Sequence, residues 1–193
     1  QDTNKLIDEF MLLANKQVAE FVHSLSKRNK NGEENTMVYR VHEGPDDQKL
    51  QQFADFAGRL GYRLKLGEGQ LSNSLNRFMD SIEGKPEANM LQQLAVRTMS
   101  KARYSTDDIG HFGLAFRRYS HFTSPIRRYP DMMAHRLLQH YLDRGKPAER
   151  DPLEEQCKHA SAREKMAADA ERASIKYKQV EFMSRMETDR TFE

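Results

Sequence analysis

One stretch constrains this chain more than any other: Tyr119-Ser120-His121-Phe122-Thr123-Ser124-Pro125-Ile126-Arg127-Arg128-Tyr129-Pro130-Asp131, continuing through Met132, Met133, Ala134, His135 and Arg136. Ser124 followed by Pro125 is a helix-start signal, because a serine oxygen can accept a first-turn N–H and proline at the first helical position loses no bond. The pattern predicts a helix beginning at Pro125. Its unpaired N–H groups and positive dipole end would form an anion site, with Thr123, Ser124, Arg127 and Arg128 around it as a phosphate seat. Residues 111–136 hold five arginines against the single acid Asp131, net +4, while the whole chain is only +2. The positive field is therefore focused on one region. A plainer alternative is that Arg127 pairs with Asp131 one helical turn later, and Pro130 marks either a kink or a second helix start.

Residues 4–27 carry Leu6, Ile7, Phe10, Met11, Ala14, Val18, Phe21, Val22 and Leu25 at intervals of three and four, which predicts an amphipathic helix. Asp8 and Asn15 are two helical turns apart and share one stripe of it with Met11 and Val18. A semi-buried asparagine needs partners, and a neighbouring backbone is the ordinary one. Asn31-Gly32 reads as a turn and Met37-Val38-Tyr39-Arg40-Val41 as a short strand. His42 follows that strand as a structural histidine or as part of a cleft.

Helical spacing recurs over residues 46–60, 70–82 and 86–102. Phe112, Leu114 and Phe116 alternate with Gly113, Ala115 and Arg117, which predicts a strand leading into the central stretch. Tyr119 and Tyr129, each with a polar tip and arginine neighbours, stay open between core and a stacking platform for bases. Met133, Leu137, Leu138, Tyr141 and Leu142 carry the next helix to Asp143, and Pro152 opens a long helical stretch toward Met186. The fold class is α+β, predominantly α-helical with a few short strands.

At 193 residues, 37% hydrophobic and 31% charged, the chain has the size and balance of one solvated domain. No apolar run approaches membrane-spanning length and no signal-peptide pattern opens the sequence. A single cysteine, Cys157, excludes an internal disulfide framework and a cysteine zinc site, and fits a reducing cytoplasm.

Tyr119, the run from His121 to Asp131, and His135-Arg136 resemble the signature of the RNB nucleases, the family of bacterial RNase II and RNase R. The RNase R branch is the closer, since His111-Phe112-Gly113-Leu114-Ala115 and Tyr39-Arg40-Val41-His42-Glu43 also stand where its pattern has them. The resemblance covers nearly the whole chain. It implies that residues 1–193 are the C-terminal portion of one RNB catalytic domain, an excised piece beginning at Gln1. The metal-binding aspartate segment and the flanking oligonucleotide-binding domains would lie outside it.

The resemblance further implies processive 3′-to-5′ hydrolysis of single-stranded RNA to nucleoside 5′-monophosphates, with Mg²⁺ held by ligands outside this chain. Arg127 would hold the scissile phosphate, with Thr123, Ser124, Arg128, His42, Tyr119 and Tyr129 lining the RNA. The helix with Leu6-Ile7-Asp8-Glu9-Phe10-Met11 and Ala14-Asn15 is similar to the family helix whose acidic pair and asparagine face the RNA near its 3′ end. Asp8 is preferred to Glu9 because it shares a stripe with Asn15. Glu171 in Ala170-Glu171-Arg172 resembles an acidic position close to the nucleic acid in RNase II. Asp46-Asp47 and Asp107-Asp108 are adjacent pairs, and adjacency does not supply converging oxygens for magnesium. The rival expectation is a non-catalytic RNA-binding module with a basic seat, and the chain by itself is expected to be inactive.

Overall fold

A computed structural model describes residues 2–27, 29, 32–66 and 71–186. The elements in order are α1 (Asp2–Ser26), β1 (Tyr39–Val41), α2 (Asp47–Arg59), α3 (Leu71–Ile82), α4 (Ala88–Thr98), β2 (Arg103–Ser105), a 3₁₀ turn (Phe112–Leu114), α5 (Tyr129–Leu142) and α6 (Arg150–Ser184). The architecture is the predicted one, helical with a small sheet. Asn31 of the predicted turn and Gln70 at the predicted start of the third helix lie outside the described residues.

Two apolar clusters hold the chain together. The first joins Ala19, Val22 and Leu25 of α1 with Met37 to Tyr39, Val41, Tyr104, Met133, Ala134, Leu137, Tyr141 and Cys157. The second is a three-helix pack of Leu50, Phe53 and Ala57 from α2, Leu75, Phe78 and Ile82 from α3, and Leu91 and Ala95 from α4. Asp46 starts α2 by accepting the Lys49 N–H at 2.9 Å, a side-chain cap of the usual kind. Phe112 packs against the second cluster and so fastens the loop before the central stretch to it.

β1 and β2 pair antiparallel, with Arg40 opposite Tyr104. Side chains of α6 close the outer edge of β2. Ser161 Oγ accepts the Tyr104 N–H at 2.9 Å, and Glu154 accepts the N–H of Thr106 at 2.6 Å and its hydroxyl at 2.7 Å. A two-stranded ribbon has too little pairing to stand alone; here a helix supplies the missing edge acceptors.

Three features depart from the sequence reading. The apolar positions Leu6, Ile7 and Phe10, predicted to be packed, are 56%, 52% and 62% exposed. No described residue covers that end of α1, and burial begins in earnest at Asn15. The strand predicted over residues 112–117 is a 3₁₀ turn followed by Ala115 at φ 53°. The His111 ring takes the Leu114 N–H, and His111 and Phe116 pair across the reversal. A Cβ on Gly113 would come within 2.9 Å of His42 Nδ1, so a glycine is needed where the turn lies on that ring. The third departure, at the start of α5, belongs to the site.

Candidate functional site

The free edge of β1 places the central stretch. The Arg40 N–H donates to the Tyr119 carbonyl at 2.8 Å, and the Ser120 hydroxyl donates to the Val38 carbonyl at 2.6 Å. Asn15, 4% exposed on α1, clamps the next residues. Its Nδ2 donates to the Tyr119 hydroxyl at 3.0 Å, and its Oδ1 accepts the N–H groups of Phe122 and Thr123 at 2.9 and 3.2 Å. His135 of α5 stacks on Phe122, ring centroids 3.8 Å apart, and Nε2 lies 2.8 Å from the Phe122 carbonyl. Two helices and a strand thus fix residues 119–123.

The helix predicted from Pro125 starts instead at Tyr129, with Arg128 as its N-cap residue and Pro130 in its first turn. A helix running from Pro125 would bury Pro130 in its interior, where the missing N–H and the ring both break the ladder. Residues 124–128 form a turn, in which the Ser124 carbonyl accepts the N–H groups of Arg127 at 3.3 Å and Arg128 at 3.1 Å. The anion that a helix N-terminus favours is the chain's own Asp131. Its carboxylate is fully buried and accepts the Ser124 N–H at 2.8 Å and Arg128 Nη2 at 2.9 Å, both on Oδ2. Arg128 Nε stands 2.9 Å from Oδ1, an ion-pair approach without hydrogen-bond alignment. The arginine paired with Asp131 is therefore Arg128, and Arg127 forms no ion pair among the described residues.

The backbone donors of the expected seat are thus engaged inside the protein, and Arg127, with the hydroxyl of Ser124, is left for a ligand. Arg127 is exposed at the tip of the turn beside Ile126, wholly exposed, and Tyr129, 56% exposed. Thr123 Oγ1 is buried with no partner among the described residues. The basic field is narrower than the arginine count suggested: Arg118 is 6% exposed, with Nε 2.6 Å from Asp108 and Nη1 3.2 Å from Glu20. Beneath the turn, His121 Nδ1 lies 2.9 Å from the Tyr104 hydroxyl. Burial, then Arg128 and Arg40, lowers its pKa to about 3.

Of the residues singled out in the sequence, Asn15, Tyr119, Thr123, Ser124, Arg127 and Arg128 come together here, and Tyr129 follows directly at the start of α5. His42 lies in a neighbouring cleft of about 740 Å³ lined also by His111, Phe112, Phe116 and Arg117. Its Nδ1 accepts the Gly113 N–H at 2.9 Å and its Nε2 donates to the Ser100 carbonyl at 2.7 Å. The ring meets His111 at 5.0 Å, and His111 meets Tyr119 at 5.5 Å, so the cleft and the turn share a wall. Asp8 and Glu9 stand on the exposed end of α1. Glu171 is exposed on α6, seven residues past Glu164, which ion-pairs with Arg40 at 2.6 Å. His121 carries structural weight that sequence reasoning did not assign it, and the pairing offered for Asp131 goes to Arg128 rather than Arg127.

Among the described residues, acids of the adjacent aspartate pairs serve as a cap and as ion-pair partners. Asp46 caps α2, Asp107 pairs with Arg150 and Asp108 with Arg118. Among the described residues no group of three His, Cys, Asp or Glu side chains could hold an ion, so these residues do not fit magnesium.

Known proteins resemble this chain in sequence and in fold. Ribonuclease R 1 of Lactococcus lactis is 40% identical over 187 residues, covering 93% of this chain and 22% of that protein. The apo form of Mycoplasma genitalium RNase R superposes with a TM-score of 0.76 at 28% identity, covering 95% of this chain and 29% of that one. The same enzyme in complex with ribose methylated single-stranded RNA gives 0.73 at 30% identity, covering 90% and 27%. The chain spans about a quarter of the length of these relatives. The RNB domain profile matches residues 1–144, a span that takes in α1, the sheet and the Arg127 turn, and the chain belongs to the RNB domain family.

Proposed function

We propose that this chain supplies the phosphate-holding part of an exoribonuclease site that degrades single-stranded RNA processively from its 3′ end, in a reducing cytoplasm. The observation that carries the reading is Arg127, an exposed arginine with no ion pair among the described residues, on a turn whose first and last residues are both held by Asp131. Its family match and the RNA named with one solved relative support it.

In the proposed reaction a hydroxide attacks phosphorus, the bond from phosphorus to the 3′-oxygen breaks, and that oxygen leaves with a proton, releasing a nucleoside 5′-monophosphate. Negative charge grows on the non-bridging oxygens during attack, and a guanidinium already in place there lowers the barrier. The Ser124 hydroxyl orients phosphate oxygens. Asp8, or Glu9, bears on the ribose edge, where the 2′-hydroxyl marks RNA. Asn15 and Tyr119 act by holding the turn. Tyr129, beside Arg127, offers a ring for stacking. Magnesium would supply charge neutralisation at phosphorus from carboxylates contributed by polypeptide outside this chain, so the chain alone is not expected to cleave RNA. The lack of a metal-holding group among the described residues also favours a second reading, a non-catalytic RNA-binding module.

The test is Arg127→Ala in the full-length protein. Single-turnover cleavage should fall on the order of a hundredfold, with RNA affinity nearly unchanged because many other contacts hold the strand. Arg127→Lys should recover little, since lysine keeps the charge and loses the planar fork. A rate within about threefold of wild type, under roughly 1 kcal/mol, sinks the catalytic assignment. A full-length protein with no cleavage leaves the binding module as the answer.

A further inference from the structure

We propose that Asp131 is the positioning residue of this site: one buried carboxylate holds the turn that presents Arg127 and removes Arg128 from competition for the phosphate. The proposal rests on the reading of Arg127 as the phosphate arginine.

Two consecutive arginines at the tip of a turn would ordinarily give two mobile cations. Each would grip a passing phosphate oxygen in a different place, and neither geometry would be fixed. Here they are differentiated. Arg128 turns inward and places Nη2 2.9 Å from Asp131 Oδ2, while Arg127 points to solvent without a partner among the described residues. The same Oδ2 accepts the Ser124 N–H at 2.8 Å, and Ser124 in turn accepts the N–H groups of both arginines. The carboxylate, Ser124 and the Arg127 backbone are therefore linked by two successive hydrogen bonds.

Asp131 is wholly buried and Arg128 is 18% exposed on its side chain, so water cannot replace either partner cheaply. The two donors come from separate parts of the turn, its first residue and its last, which is the arrangement that closes it. Three buried side-chain atoms here have no hydrogen-bond partner among the described residues: Arg128 Nε, Asp131 Oδ1 and Thr123 Oγ1. A turn closed by one well-formed hydrogen bond from each end has little reserve if that carboxylate changes.

Asp131→Asn keeps an oxygen for the Ser124 N–H and loses the charge that retains Arg128. In the full-length protein, single-turnover cleavage of single-stranded RNA should fall at least about tenfold, with the Kd for that RNA changing by less than about threefold. The decisive readout is the double-mutant cycle with Arg127→Ala. If Asp131 acts through Arg127, adding Asp131→Asn to Arg127→Ala lowers the residual rate by less than about twofold. An equal loss in both backgrounds would show that Asp131 only supports the fold, and overturns the proposal.

Arg128→Lys keeps the charge and loses the fork on Asp131, so its loss should also vanish in the Arg127→Ala background. It carries the same cycle should Asp131→Asn fail to fold. A damaging Arg127→Ala beside a harmless Asp131→Asn and a harmless Arg128→Lys sinks this inference alone. A harmless Arg127→Ala sinks the underlying reading and this inference with it.

Discussion

His121 packs beneath the arginine turn as a neutral base. Burial and the nearby charges of Arg128, Arg40 and Arg127 oppose its protonation, and its pKa falls to about 3. His111 is lowered to about 4 by burial, then by His42 and Arg40. The unfolded chain binds a proton at each ring near pH 6.5, whereas the folded chain resists until about 4 and about 3. The unfolded state thus holds more protons throughout that window, so stability falls as pH drops below about 6.5. Urea midpoints taken from pH 7.5 down to 5, above the range of most carboxylates, should decline steadily. His121→Gln, which keeps an acceptor for Tyr104, should flatten that decline. A midpoint indifferent to pH over this range would mean that both rings are solvated. The same neighbourhood shows what a sequence leaves undecided at this scale. Asp131 lies four residues after Arg127 and three after Arg128, and both spacings meet on a helix. The choice between them follows from where α5 begins, and that was settled by Pro130 and a buried carboxylate.

The sheet and α6 depend on each other more than their sequences suggest. Glu154 accepts from the Thr106 N–H, the Thr106 hydroxyl and the Ser105 hydroxyl, and those bonds lower its pKa against the opposing effect of burial. Glu154→Ala leaves the Thr106 N–H at the β2 edge without an acceptor, at a cost of about 1–3 kcal/mol. Urea unfolding of the variant checks this, and a loss under roughly 0.5 kcal/mol would mean that solvent replaces the carboxylate. The helices were legible because a 3.6-residue period survives whatever a helix packs against. β2 was not, because Arg103-Tyr104-Ser105 is too short to show alternation. The aromatic alternation from Phe112 to Phe116 imitated a strand; half-burial on a tight reversal leaves the same pattern. The clamp by Asn15 was half legible, since its stripe position demanded a partner, while the identity of Tyr119, Phe122 and Thr123 as partners required the tertiary path.

At the scale of the molecule, charge that looks concentrated in the sequence is partly cancelled in space. Residues 111–136 carry net +4, yet Arg118 is paired with Asp108 and Glu20, and Arg128 with Asp131. Glu20 and Asp108 lie outside that stretch, so counting along the chain misses them. Arg117, Arg127 and Arg136 remain exposed in the region. Binding of single-stranded RNA by this chain should therefore be weak and salt-dependent, with at most about three phosphates neutralised by these arginines. Since each neutralised phosphate on a single strand contributes about 0.7 to the slope, log Kd against log salt should rise with a slope of about 2. Fluorescence titrations of the chain with a short single-stranded RNA between about 50 and 200 mM salt measure it. A slope of about 3.5, the value for five phosphates, would mean that Arg118 and Arg128 leave their carboxylates to meet RNA, contrary to the role given to Asp131. A slope near zero would move the basis of binding from the arginines to stacking on exposed rings such as Tyr129. Arg127→Ala should lower the slope by about 0.7 with only a modest loss of affinity, which separates a guanidinium that touches phosphate from one that merely sits on the surface.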